Sequence, residues 1–265
     1  MGVISNPVIL KMMSILEWST YHAADACIGL SPGIVAGIQK RGIDKSLITM
    51  IPNGCDLDLF AQTDIKAKRP NGVLDSDLLA VFTGTHGIAN GVDAALDAAQ
   101  VLKERGRDDI KLCFIGQGKL KAELLERAKR DKLSNCIFLD LMPKRELAQY
   151  LKGADIGMQL LANIPAFYYG TSPNKFFDYI ASGLPVLNNY PGWLAELIEG
   201  FECGKVVPPE DPIAFANALE QMATQRDELM KMGNRAKKLA EDKFDREQLA
   251  EQFVCFLEKQ IGDTL

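Results

Sequence analysis

Histidine is nearly missing from this chain. Only His22 and His86 occur in 265 residues, and they show no metal-ligand spacing. Six cysteines (Cys27, Cys55, Cys113, Cys136, Cys203, Cys255) are scattered with no C-x-x-C pair. Most lie in apolar runs such as LCFIG and NCIFLD, as small core hydrophobes do, which fits a reducing compartment better than a disulfide framework. Basic residues are also in deficit. Thirty Lys and Arg against 35 Asp and Glu leave a net charge of −5, whereas general nucleic-acid binding requires a basic surface. No apolar run approaches the roughly 18 residues of a bilayer span. The N-terminus lacks a charged region followed by a continuous apolar core, so it reads as no signal peptide, and a cytoplasmic location is expected. Absent too are G-x-G-x-x-G, G-x-S-x-G and the Walker lysine motif, which weakens dehydrogenase, serine-hydrolase and P-loop readings. There is no solenoid repeat and no low-complexity tract.

What is present is an ordinary globular composition, 47% hydrophobic and 25% charged, over a length suited to one large or two medium domains. Residues 6–23 read as a helix, with Val8, Ile9, Met12, Met13, Leu16 and Tyr21 near 3.6 spacing. ACIGLS and ITMIPNG read as short strands around the helix SPGIVAGIQKRG. A polar stretch near 62–76 reads as a boundary. After it the rhythm becomes regular. The strands DLLAVFTG, IKLCFIG, CIFLD, DIGMQLL, PVLNN and KVVPP alternate with amphipathic helices, and further helices close the chain. That alternation predicts βαβ units and a parallel sheet of about six strands, an α/β, Rossmann-like fold with helices on both faces.

Ligands of such sheets bind beyond the carboxyl ends of the strands, and three loops fall there. FTGTHGIANGVD follows a strand and opens a helix, and its Gly84, Gly87 and Gly91 make it either a phosphate-binding turn or a permissive one. His86 lies inside it, facing a ligand or packed. FIGQGKL carries Gly116 and Gly118 at the next strand-to-helix junction, allowing close backbone approach. The third, YYGTSPNKFFDYIASGLPV, is the most completely punctuated. Ser172 suits an N-cap, Pro173 the first helical position, Gly183 the left-handed end and Pro185 the stop. Lys175 breaks the pattern, because the helix dipole disfavours a cation in the first turn. It is either a solvated lysine or the partner of a bound anion, with Thr171, Ser172 and Asn174 as further donors. Asp178, three residues on, offers an acceptor for ribose or sugar hydroxyls, or a simple ion pair with Lys175.

With these segments assembled, the chain resembles the retaining glycosyltransferases of the GT-B fold, particularly glycosyltransferase family 4. ADACIGLS with ITMIPNGCDLDLF is similar to the end of that family's first domain. FTGTHGIANGVDAALDAA and FIGQGKL resemble its donor-domain loops, and IFLDLMPKRELAQYLKGADIGM its nucleotide-base region. SPNKFFDYIASGLPV is the most specific segment, similar to bacterial enzymes that make surface polysaccharides from UDP-linked N-acetylamino sugars. The resemblance implies three segments: residues 1–60 as a remnant of the N-terminal acceptor domain, 61–244 as the nucleotide-sugar-binding domain, and 245–265 as a C-terminal helix.

The resemblance also implies roles. Gly84 and the amides near Gly91 face the diphosphate, Asp178 holds the ribose hydroxyls, Thr171 to Lys175 bind diphosphate and donor sugar, and Met142 and Pro143 border the base. There are departures. Gly170 stands where the first acid of a family pair is expected, and Thr85 and Asn90 stand where an Arg and a Lys are common. Lys175 thereby becomes the leading cationic substitute. Most of the acceptor domain, with its catalytic-site histidine, has no counterpart. The expectation is a UDP-sugar transferase with no cofactor and no required metal, acting with retention on a saccharide or lipid-linked acceptor. It would work in the cytoplasm, with a peripheral contact at the inner face of the membrane and a homodimer or a missing-domain partner left open. From another class, a non-catalytic nucleotide-sugar-binding module or one subunit of a split transferase fits the same motifs.

Overall fold

The computed structural model describes residues 5–62 and 64–262. The first four residues of the expected front segment and the last three of the expected C-terminal helix lie outside them. The chain divides into two compact units. The first runs to Asn53 and takes in Tyr169–Ser172 and the residues from Glu247 onward. It holds α1 (Pro7–Ala23), β1 (Cys27–Gly29), α2 (Pro32–Lys40) and β2 (Ile48–Met50). The two short strands pair in parallel. Asn6 caps α1 by accepting from the Val8 N–H at 2.9 Å, and Ser31 caps α2 ahead of Pro32. The apolar spacing of α1 is real, but none of its residues is buried, and Val8, Met12 and Leu16 are about two-thirds exposed.

The second unit, Gly54–Tyr168 with Pro173–Arg246, contains α3 (Leu57–Ala61), β3 (Leu78–Thr83), α4 (Asp93–Glu104), β4 (Ile110–Ile115) and α5 (Lys121–Arg130). The chain continues through β5 (Cys136–Leu139), α6 (Lys144–Gly153), β6 (Ile156–Gln159) and α7 (Pro165–Gly170). Then come α8 (Asn174–Ala181), β7 (Val186–Asn188), α9 (Trp193–Gly200), β8 (Gly204–Val206), α10 (Pro212–Thr224) and α11 (Arg226–Lys243). A last helix, α12 (Arg246–Gly262), follows. The six strands form one sheet in the order β5-β4-β3-β6-β7-β8, and every pairing is parallel. This is the doubly wound order, with direction of growth reversing between β3 and β6.

Alternation along β3 shows how the layers are made. Leu78, Ala80 and Phe82 pack with Leu96, Leu102 and Phe215 on one face. Leu79 and Val81 pack with Phe176, Tyr179, Leu194 and Leu239 on the other. Both faces are covered, so the strand is apolar throughout, as buried parallel strands are. Tyr179 pins α8 to the sheet. Its hydroxyl accepts from the Thr83 N–H at 2.8 Å and lies 3.3 Å from the Met158 carbonyl. Tyr179→Phe should therefore leave the buried Thr83 N–H unpaired and cost about 1–3 kcal/mol. Urea denaturation of the two proteins measures this directly, and a change within about 0.5 kcal/mol, the range of ordinary surface substitutions, would contradict the account.

Two local expectations are corrected. Tyr168–Gly170, read as loop, form the end of the short α7. Ser172 does not cap α8. The helix begins at Asn174 with Pro173 at the cap position and no side-chain cap, because the Ser172 hydroxyl accepts from the Asn53 N–H at 3.2 Å instead.

Candidate functional site

The carboxyl ends of β3, β4 and β5 and the start of α8 enclose a cleft of about 190 Å³ in the second unit. Gly84, Met142, Asn174, Lys175 and Asp178 line it, together with Thr83, Ile115, Leu141 and Leu147. Five expected residues from three separate loops thus meet in one place. It lies beyond the strand ends and beside the point where strand order reverses, where open α/β sheets take their ligands.

Lys175 sets the electrostatics. Its Nζ donates to Asn90 Oδ1 at 2.5 Å and sits 4.7 Å from the centre of the Phe82 ring. Among the described residues no carboxylate pairs with it. Removal from water without a counter-charge disfavours the ammonium, and burial pushes its pKa down to about 7. The uncapped first turn of α8 adds its amide dipoles at the same place. Asp178 does not pair with Lys175 as the simple ion-pair reading has it. Its Oδ1 lies 3.1 Å from Lys144 Nζ. Burial raises the Asp178 pKa, and the Lys144 charge opposes that rise.

Five amides of the first glycine-rich loop are turned inward. The N–H groups of Gly84, His86, Gly87, Asn90 and Gly91 donate to the carbonyls of Ile115, Gln117, Thr85, Gly87 and Ile88. These amides are engaged within the protein and not left free for a phosphate. The Asn90 side chain donates to the Thr85 carbonyl at 2.7 Å, which aims its oxygen at Lys175. Asn90 thus holds the cation supplied by α8.

The glycines permit close backbone approach. Gly84 and Gly116 both have positive φ, 139° and 149°, and a Cβ on Gly116 would stand 2.0 Å from the Gly84 carbonyl oxygen. A Cβ on Gly118 would meet the His86 carbonyl oxygen at 2.3 Å. His86 itself is not brought to the cleft. Its ring is fully buried, between Phe82 at 6.0 Å and Phe138 at 6.1 Å. Desolvation, helped by the Lys121 charge, pushes its pKa down to about 4, so it packs as a neutral ring. Pro143 is exposed beside Met142. Thr171 and Ser172 belong to the first compact unit.

Lys144 was not among the expected site residues. The rule that singled out Lys175 applies to it as well, since it too is a cation in the first turn of a helix. Thr83 and Ile115 reach the cleft through the sheet register and Leu147 through the packing of α6, neither of which a single sequence displays.

A doubly wound parallel sheet with a cation-bearing cleft at its strand ends defines the class, a Rossmann-like ligand-binding domain of the kind found in GT-B proteins. The particular family follows from comparison. The family model of glycosyl transferases group 1 matches residues 64–239, and the chain belongs to that family. The putative colanic acid biosynthesis glycosyltransferase WcaL of Escherichia coli K12 is 22% identical over 240 residues, covering 90% of this chain and 57% of WcaL. The amylovoran biosynthesis glycosyltransferase AmsK of Erwinia amylovora is 27% identical over 172 residues, 64% of this chain and 42% of AmsK. HepE of Anabaena, solved in complex with UDP, shares the fold with a TM-score of 0.72 at 16% identity, covering 89% of this chain and 64% of HepE. The chain spans about half the length of these two curated relatives.

Proposed function

We propose that this chain is the donor-binding portion of a family 4 glycosyltransferase that takes a sugar from a UDP-sugar and passes it, with retention, to a saccharide or lipid-linked acceptor. The observation that carries the reading is Lys175, a cation without a carboxylate partner at an uncapped helix start, lining the cleft. Such a group lacks one thing, an anion, and a diphosphate supplies it. The relatives named for colanic acid and amylovoran biosynthesis support a polysaccharide pathway, and HepE, bound to UDP, supports the nucleotide.

In this reading the Lys175 ammonium and the first amides of α8 take the charge that develops on the departing UDP. Asp178 accepts hydrogen bonds from the ribose hydroxyls, and Leu141, Met142 and Pro143 border the base. The acceptor hydroxyl attacks the anomeric carbon on the face the UDP oxygen leaves, its proton departing with the released UDP. We extend the reading to an N-acetylamino sugar as donor, to a reaction without a required metal, and to the inner face of the membrane as the place where a lipid-linked acceptor is presented.

Titration calorimetry with UDP tests the first step. Binding is expected with micromolar to millimolar affinity, the ordinary range for enzyme substrates, and no heat at millimolar UDP would overturn the proposal. Turnover of a UDP-sugar in the presence of a chelator would establish metal-independent transfer. Binding without turnover by the isolated chain would instead favour the nucleotide-sugar-binding module.

A further inference from the structure

Behind the cleft's Asp178 stands a second cation that the diphosphate reading leaves unused. Lys144 opens α6 directly after Met142 and Pro143. Its ammonium bridges two carboxylates, lying 3.1 Å from Asp178 Oδ1 and in close contact with Asp56 Oδ2. Asp56 is itself held on its other oxygen by Arg246. The result is a continuous charge chain, Arg246–Asp56–Lys144–Asp178, ending at a carboxylate that lines the cleft. Asp56 cannot swing away, because each of its oxygens has a cation. Lys144 is therefore presented to Asp178 from a fixed anchor, despite being 41% exposed.

Stability is a poor explanation for this arrangement. Ion pairs at this exposure contribute little to folding, and a lysine in the first turn of α6 opposes the helix dipole. The effect on Asp178 is more specific. Burial disfavours its charged form, and the ammonium beside it is the largest influence in the other direction. Lys144 occupies Oδ1, and Oδ2 has no partner among the described residues. An ionised carboxylate fixed on one oxygen and open on the other is an acceptor set for a hydroxyl donor. A protonated or freely rotating one is not.

We propose that Lys144 is a positioning residue for nucleoside recognition: bridged between Asp56 and Asp178, it holds the Asp178 carboxylate oriented to accept hydrogen bonds from a ribose diol. This rests on the nucleotide reading and adds to it a source of selectivity. The diol is read by a carboxylate that Lys144 aims, so Lys144 controls discrimination against sugars lacking those hydroxyls without touching them itself.

The experiment compares UDP with 2′,3′-dideoxy-UDP by calorimetry on the full chain, as wild type, Lys144→Met and Lys144→Arg. Wild type is expected to prefer UDP by about tenfold or more, since a hydrogen bond to a charged group is lost in the dideoxy compound. In Lys144→Met the preference should fall to about twofold, with most of the loss in UDP affinity, and Lys144→Arg should restore it because the charge remains. The acid limb of UDP binding should also move to higher pH in Lys144→Met, as Asp178 loses its counter-charge. A folded Lys144→Met with the wild-type UDP-to-dideoxy ratio, or with equal losses for both nucleotides, overturns the assignment of Lys144 while leaving nucleotide binding intact. Wild-type protein that binds neither nucleotide overturns the nucleotide reading, and this assignment with it.

Discussion

Replacing Lys175 with alanine should lower affinity for UDP by about ten- to a hundredfold while leaving uridine within about twofold. The size follows from the charge. A hydrogen bond to an ionised group is worth about 1.5–3 kcal/mol, and each 1.4 kcal/mol is about tenfold in a binding constant. The selectivity follows from position. Lys175 stands over Phe82 and beside Gly84, at the start of α8, whereas Leu141 and Met142 lie on the side of the cleft that precedes α6. Loss of packing must be separated from loss of charge, because the lysine stem covers the Phe82 ring and its ammonium is tied to Asn90. Lys175→Met keeps the stem and removes the charge. It should behave like Lys175→Ala toward UDP and, near pH 7, melt no lower than wild type, because an uncharged side chain carries no cost of burying the ammonium. Equal losses for UDP and uridine in both variants would mean that the cleft had collapsed, and would remove Lys175 from the proposed diphosphate contact.

That lysine was legible before any coordinates because a cation in the first turn of a helix violates a local electrostatic rule. The six strands were legible for a similarly local reason. Runs such as DLLAVF and KLCFI are short, apolar and bounded by turn residues, and they became β3 and β4 close to the expected bounds. What escaped was decided by partners distant in sequence. The loop from Gly84 to Gly91 has the composition of a phosphate cradle, yet its Gly84 and His86 amides meet the carbonyls of Ile115 and Gln117, which only the β3–β4 register brings alongside. His86 in a glycine-rich loop could face a ligand or pack, and Phe82 and Phe138, which enclose it, decide for packing. Ser172 has the composition of an N-cap, and Asn53, more than a hundred residues earlier, takes its hydroxyl. In each case the short-range preference is sound and a long-range hydrogen bond or burial overrides it. Lys144 is the instructive omission, since the same first-turn rule that exposed Lys175 points to it without knowledge of the fold.

The pH dependence of donor binding should carry the signature of Lys175. With its pKa near 7 in the free protein, the side chain is mostly neutral by about pH 8.5, and a diphosphate must then recruit a proton as it binds. Affinity for a UDP-sugar should fall by up to about tenfold per pH unit above pH 7, levelling off where the lysine in the complex itself deprotonates. A UDP-sugar is the better probe, because free UDP has a terminal phosphate that titrates near pH 6. His86, with its pKa near 4, stays neutral throughout that range and adds no slope. Lys175→Arg should flatten the profile, as a guanidinium remains charged. The same titration acts on stability with the opposite sign. The folded state binds fewer protons at this position than the unfolded chain between about pH 7 and the ordinary lysine range, so the contribution of Lys175 to stability rises with pH across that window. Lys175→Met should remove that rise together with the fall in donor affinity. If only one of the two slopes disappears, the remaining one belongs to a different group, and the proton that accompanies the diphosphate is not carried by Lys175.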